Sequence, residues 1–143
     1  MNLISRLYWR YLKSPVEQGR HIGVRIGKYC SIGRGNWGSE PYLITIGNNV
    51  CIAPGVCFHN HGGASVARRL YPNFDVFGKI WIQDWAYIGS GCHIMPGVTI
   101  GEGALIGAGS IVCKSVPKNE VWAGVPARRI CTVDEYIKKK PAL

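Results

Sequence analysis

An aliphatic side chain returns at every sixth position through the middle of the chain: Ile82, Ile88, Ile94, Ile100, Ile106 and Val112. The residue after it is usually glycine. The fifth position of each unit is small or apolar, at Ala86, Cys92, Val98, Ala104, Ser110 and Val116. A second block runs upstream, with IGKYCS from Ile26, an interruption after Ile32, then IGNNVC from Ile46, IAPGVC from Ile52 and FHNHGG from Phe58. A period of six matches neither the 3.6 residues of a helix nor the alternation of a single flat strand. It predicts short strands that turn positions one and five inward, joined by tight corners where glycine tolerates unusual backbone angles. Three such strands make a coil of about 18 residues, and coils stack so that each covers its neighbour's open edge. The expected fold class is all-β, a single-stranded parallel β-helix.

The predicted layout is one domain over residues 1–143. Residues 1–19 form an N-terminal amphipathic helix or cap, 20–117 the β-helix, and 118–143 a C-terminal strand, helix and basic tail. Two segments depart from the repeat, RGNWGSEPYLIT at 34–45 and GGASVARRLYPNFDVFGK at 62–79. Function in stacked repeats tends to sit on such departures. In the N-terminal segment Leu3, Ile4, Leu7, Tyr8, Tyr11 and Leu12 recur at helical spacing beside Arg6, Arg10 and Lys13. That pattern suits a cap over the first coil, the reading preferred here because stacked coils need one, or a helix lying on a membrane surface.

Composition narrows the picture. Nineteen glycines without a three-residue period suit a turn at every corner. The six cysteines include no CxxC pair, and Cys30 and Cys92 fall at the small inward position, so packing is preferred to metal binding. Cys51, Cys57, Cys113 and Cys131 are less constrained, and unpaired thiols favour a reducing cytoplasm. No signal peptide or long apolar run is present. The expected location is the cytoplasm, with the inner face of the membrane as the surface the N-terminal helix would touch. The net charge of +9 draws on Arg68, Arg69, Arg128, Arg129 and the Lys138–Lys140 run. Without a nucleic-acid-binding motif it points to a phosphorylated small molecule, then to an acidic polysaccharide or lipid surface, and no nucleic-acid partner is expected.

WGSEPYLI (37–44), the histidine loop FHNHGG (58–63), YPNFDVFG (71–78), the repeat blocks with IGAGSIVCK (106–114), and the closing VWAGVPARRI (121–130) together resemble the bacterial acetyl-CoA-dependent O-acetyltransferases of the capsular-polysaccharide type. These belong to the hexapeptide-repeat acyltransferases, and the likeness covers the chain from about Ile22. It implies a left-handed β-helix, a homotrimer with active sites between subunits, acetyl-CoA as co-substrate, a saccharide acceptor and no metal.

The resemblance also implies site residues. His61 takes the place of the catalytic base, since imidazole can accept a proton from an attacking hydroxyl near neutral pH. The backbone N–H of Ser90 is the carried-over donor to the developing oxyanion. Tyr87, Gly89, Ala108, Cys113, Lys114 and Arg128 correspond to contacts with coenzyme A. Tyr87 stands where many relatives carry tryptophan, and corner turns explain Gly89 equally well. Asn36 and Glu40 lie where related enzymes bind the acceptor; Glu40 binds a hydroxyl, orients the base, or is a solvated loop carboxylate. The resembling proteins typically read THDGG at the histidine, whereas Gly62 follows His61 here: if that aspartate binds the acceptor, substrate choice differs, and if it orients the histidine, Glu40, Asp75 or a backbone carbonyl must replace it. His59 reads as structural, and His93 and His21 as solvated.

Three other readings of the same residues stand beside this one. Serine or amino-sugar acetylation uses the same base chemistry. A trimeric carbonic-anhydrase-like metal site would draw on His59, His61 and His93, but the closely spaced HxxxxH pair is absent. A non-catalytic scaffold would leave the histidine loop and the C-terminal groove unused.

Overall fold

The computed structural model describes residues 1–140; residues 141–143 of the expected basic tail lie outside the described residues. The hexapeptides form two- and three-residue strands in parallel ladders. These are β1 (Arg25–Ile26), β2 (Ser31–Ile32), β3 (Ile44–Ile46), β4 (Cys51–Ile52), β5 (Cys57–Phe58), β6 (Ile80–Ile82), β7 (Tyr87–Ile88), β8 (His93–Ile94), β9 (Thr99–Ile100), β10 (Leu105–Ile106) and β11 (Ile111–Val112). From β3 onward, successive strands join three different sheets in rotation. The first sheet has the order β1-β3-β6-β9, the second contains β2-β4-β7-β10, and the third is β5-β8-β11. Ile88 pairs with Ile106 and Ile94 with Val112, so one turn of chain takes eighteen residues, as the sequence period requires.

Positions one and five point inward, as the pattern predicts. Ile82, Ile88, Ile94, Ile100 and Ile106 are completely buried, and Val50, Val56, Ala86, Cys92, Val98, Ala104 and Ser110 are buried at the fifth position. Each buried Ile is worth roughly 1.5–3 kcal/mol of transfer free energy. Cys30 is only partly buried because its coil lies at the end of the stack.

The glycines divide into two physical classes. The left-handed backbone occurs at position four, at residues such as Gly91 (φ +69°) and Gly97 (φ +81°), and Asn49 and Trp85 adopt it in equivalent corners. Glycine at position two has another cause. A Cβ on Gly89 would lie 2.5 Å from the Ala108 nitrogen, and one on Gly101 would lie 2.4 Å from the Lys118 nitrogen. Position two is therefore glycine because the next coil's backbone passes against it.

The two departures behave differently. Ile26 pairs with Ile46, twenty residues on, so the segment 34–45 makes its turn only two residues longer than a regular coil. Asn36 bridges in parallel to Cys57, Trp37 stacks on Phe58 with centroids 5.3 Å apart, and Pro41–Leu43 forms a 3-10 turn before β3. Ile52 pairs with Ile88, thirty-six residues on, which leaves room for an extra length of eighteen at 62–79. That loop leaves and returns at one corner. Its ends bridge antiparallel at His61 and Phe77, Gly62 N–H donates to the Val76 carbonyl, and Gly78 N–H donates to the Asn60 carbonyl. The stack beyond it is therefore undisturbed.

Two helices precede β1. α1 (Leu3–Tyr11) is N-capped by Asn2, and α2 (Pro15–His21) begins with a capping box between Ser14 and Glu17. The three contacts made by Glu17, first the Ser14 backbone N–H, then Lys13 and the Ser14 hydroxyl, pull its carboxyl from an ordinary 4.5 down to about 2. Only α2 caps the first coil: Val16 packs on the core, and Gly19 is buried against Ile26 and Trp37. At the other end a hairpin of β12 (Glu120–Gly124) and β13 (Ala127–Thr132) adds to the β10 edge, and helix α3 (Val133–Lys138) follows. Cys131, unconstrained by the repeat, is buried on β13.

Candidate active site

The most concentrated group of interacting ionisable side chains gathers where the long loop leaves the stack. His61 follows β5 by three residues. Its ring stacks on Phe77, centroids 4.4 Å apart, across the bridge that closes the loop. Each ring nitrogen faces a carboxylate: Nε2 is 3.2 Å from Asp75 Oδ1, and Nδ1 is 3.7 Å from Glu40 Oε1. About a third of the His61 side chain remains exposed, so the group is reachable from solvent.

Glu40 and Asp75 reach the imidazole from supports of different stiffness. Asn60 is fully buried, and its Oδ1 accepts from the Glu40 N–H at 3.0 Å. Its Nδ2 donates to the carbonyls of Glu40 at 2.9 Å and Trp37 at 3.0 Å. A buried amide with these bonds satisfied fixes the first departure against the stretch that leads from β5 to His61. Asp75 belongs to the loop. Its Oδ1 accepts from the Val76 N–H, and its Oδ2 pairs with Arg68 at 2.9 Å. Partial burial pushes the Asp75 carboxyl upward, but the Val76 N–H, the Arg68 charge and His61 together outweigh that and hold it below the usual carboxylate range. Tyr42 moves the other way, since its hydrogen bond to Glu40, aided by burial, raises the phenol.

His93, expected in solvent, instead lies with His59 on the third sheet. Their rings are nearly parallel, and His59 Nε2 meets His93 Nδ1 at 2.8 Å. Burial, then the neighbouring ring, lowers the pKa of His59. The short repeat spacing concealed this pair, because the two residues become neighbours only when β5 and β8 stack. His21 is exposed, as expected, and its ring stacks on Trp9 with centroids 3.7 Å apart. Among the described residues no cluster of three or more His, Cys, Asp or Glu side chains has a metal-binding arrangement.

The other expected site residues lie elsewhere. Gly89 is buried and Ser90 exposed in the corner between the second and third sheets. That corner stacks directly on the next, with Gly109 N–H donating to the Ser90 carbonyl. Ala108 is exposed there, nothing stands within 4 Å of a Cβ built on Gly91 or Gly109, and the two corners carry only the small side chains of Ser90 and Ala108. Tyr87 is exposed on the second sheet, Cys113 and Lys114 are exposed just past β11, and Arg128 is exposed on β13. His61 occupies the opposite margin of the third sheet, so one chain does not bring it to Ser90. The Asn36 side chain accepts from the Gly38 N–H within its own turn, whereas Glu40 reaches the histidine.

A family model described as bacterial transferase hexapeptide (six repeats) matches residues 79–114. Protein CapG of Staphylococcus aureus is 41% identical over 142 residues, covering 95% of this chain and 83% of CapG. Galactoside O-acetyltransferase of Escherichia coli (strain K12) is 44% identical over 100 residues, which is 69% of this chain and 49% of that protein. The chain belongs to the hexapeptide-repeat acetyltransferases. It spans about half the length of the galactoside enzyme. The crystal structure of a maltose O-acetyltransferase from Clostridium difficile 630 matches with a TM-score of 0.70 at 27% identity, over 90% of this chain and 82% of that one.

Within this acetyltransferase the sequence left two parts of the site unassigned. Asn60 gave no signal beyond being a polar residue between two histidines, and its role depends on complete burial. Arg68 sits in a basic pair that reads as surface charge; its bond to Asp75 depends on the turn through Phe74, whose carbonyl accepts from Arg68 Nε at 2.9 Å.

Proposed function

We propose that this protein transfers the acetyl group of acetyl-CoA to a hydroxyl of a saccharide, in the assembly of a surface polysaccharide, with His61 as general base. The observation that carries the reading is the imidazole held between two carboxylates at a solvent-reachable corner. Glu40, on the segment anchored by Asn60, orients Nδ1 and favours the imidazolium as it forms. Asp75, on the loop, occupies the approach to Nε2, and the acceptor hydroxyl takes its place there.

The chemistry balances with the chain's own groups. His61 Nε2 accepts the hydroxyl proton as that oxygen bonds to the thioester carbonyl carbon. The Ser90 N–H donates to the oxyanion that results. Breaking the carbon–sulfur bond releases the CoA thiolate, and His61 returns the proton to it. No acyl-enzyme forms.

The edge at Gly89, Ala108 and Gly109 suits a pantetheine arm passing against backbone, with Tyr87 and Cys113 flanking it. Lys114 and Arg128 suit the phosphates, one as a compact charge and the other as a planar fork. Asn36 lines the acceptor side together with Glu40. Because His61 and Ser90 lie on opposite margins of the third sheet, the site is completed by a second subunit in a homotrimer of left-handed β-helices. The galactoside and maltose O-acetyltransferases support an O-linked sugar acceptor. The cytoplasm is the compartment that supplies acetyl-CoA.

Calorimetry with acetyl-CoA on the native chain and on His61→Ala, followed by thiol release with a panel of sugar and amine acceptors, tests this. Both chains are expected to bind. Turnover is expected only from the native chain, with the variant lower by roughly 100- to 10,000-fold. Formation of N-acetyl products alone would overturn the sugar-hydroxyl assignment.

A further inference from the structure

Helix α1 is amphipathic in the wrong sense for a helix that covers a core. At 3.6 residues per turn, Leu3, Ile4, Leu7, Tyr8, Tyr11 and Leu12 occupy one half of its circumference. None of the nine helix residues is buried. Ile4 is 78% exposed, Leu12 74% and Tyr11 66%. Attachment to the rest of the molecule comes from the opposite side, where Trp9 stacks on His21 and Gln18 Nε2 donates to the Arg10 and Lys13 carbonyls. The cap over the first coil is supplied by α2, so the apolar half of α1 is left facing outward as a shallow groove lined by Ile4, Leu7, Tyr8, Tyr11 and Leu12. A contiguous patch of this kind on a soluble surface marks an interaction site.

We infer that α1 seats the protein on an anionic lipid bilayer, lying in the plane of the interface. Charge selects this occupant. No acidic residue precedes Glu17, Arg6 and Arg10 are exposed beside the apolar half, and the whole chain carries +9. A second copy of the same helix would bring like charges together, whereas acidic headgroups neutralise them. Tyr8 and Tyr11 present the amphipathic rings that settle at headgroup level. Nine residues extend only about 14 Å, less than half a hydrocarbon core, so α1 lies on the bilayer rather than crossing it. Ile4, Leu7 and Leu12 enter the acyl boundary, and Arg6 and Arg10 stay among the phosphates.

Vesicle co-sedimentation of the full chain tests the inference, independently of any transferase reading. The expected result is apparent affinity at least about tenfold higher for vesicles with roughly a third phosphatidylglycerol than for phosphatidylcholine alone, falling with added salt. Ile4→Glu/Leu12→Glu, both changed at exposed positions, is expected to abolish binding while keeping the native circular dichroism and thermal midpoint. Equal binding to neutral and anionic vesicles, no binding to either, or unchanged binding by the variant would overturn it. Sedimentation velocity on the same variant provides the remaining arm: a smaller oligomer than the native chain forms would assign the apolar face to a second copy and sink the lipid assignment.

Discussion

At the scale of single residues, the site depends on which of two carboxylates is rigid. Glu40 is held through its own backbone N–H and carbonyl by a buried amide, while Asp75 is held by the loop's Arg68 and Val76. A group that orients a base must keep its place as the acceptor enters, and a group in the acceptor's path must yield. Glu40→Gln is therefore expected to lower kcat by about ten- to a hundredfold with little change in KM for the sugar. Asp75→Asn should act chiefly on KM for the acceptor. Steady-state kinetics on both variants at saturating acetyl-CoA checks the pair, and a reversed pattern would exchange the two roles. Glu40 was legible in the sequence because it lies in a segment where the repeat breaks, and His61 because it stands directly before the second break, at the histidine of the resembling motif. The buried amide between them was not, since the period specifies inward side chains only at positions one and five, and Asn60 stands at position three of its unit.

At the scale of the coil, two glycine positions answer different constraints. Position two is crowded by the next coil's backbone, and position four needs a left-handed turn that Asn49 also supplies. Gly101→Ala should lower stability by roughly 1–3 kcal/mol, the usual cost of forcing atoms into a packed place. Gly97→Asn, at φ +81° with open space around its Cβ, should cost less than about 1 kcal/mol, because asparagine visits that region with least penalty. Urea unfolding of both variants measures the difference. If Gly97→Asn proved the costlier, corner conformation rather than coil contact would be the stricter demand. The sequence announced both glycine columns, but assigning the reason for each needed the distance between coils.

At the scale of the whole molecule, the third sheet separates His61 from the Ser90 and Ala108 edge, and the proposed site spans two copies. Co-refolding inactive His61→Ala with inactive Ala108→Trp should then restore about a quarter of native activity, because random assembly reunites intact halves at that frequency. Activity that stayed at the level of the separate variants would place the whole site within one chain. The hexapeptide period by itself determined the inward positions, the eighteen-residue turn and the parallel stacking, because every coil repeats the same local demand for an apolar anchor and a tight corner. Only the tertiary structure decided that Asn60 ties Glu40 to the histidine corner, that Asp75 returns across the loop to Nε2, that His59 meets His93, and that α2 rather than α1 closes the stack. Those contacts join residues far apart in sequence through bends outside the repeat, where no periodic signal constrains the path of the chain.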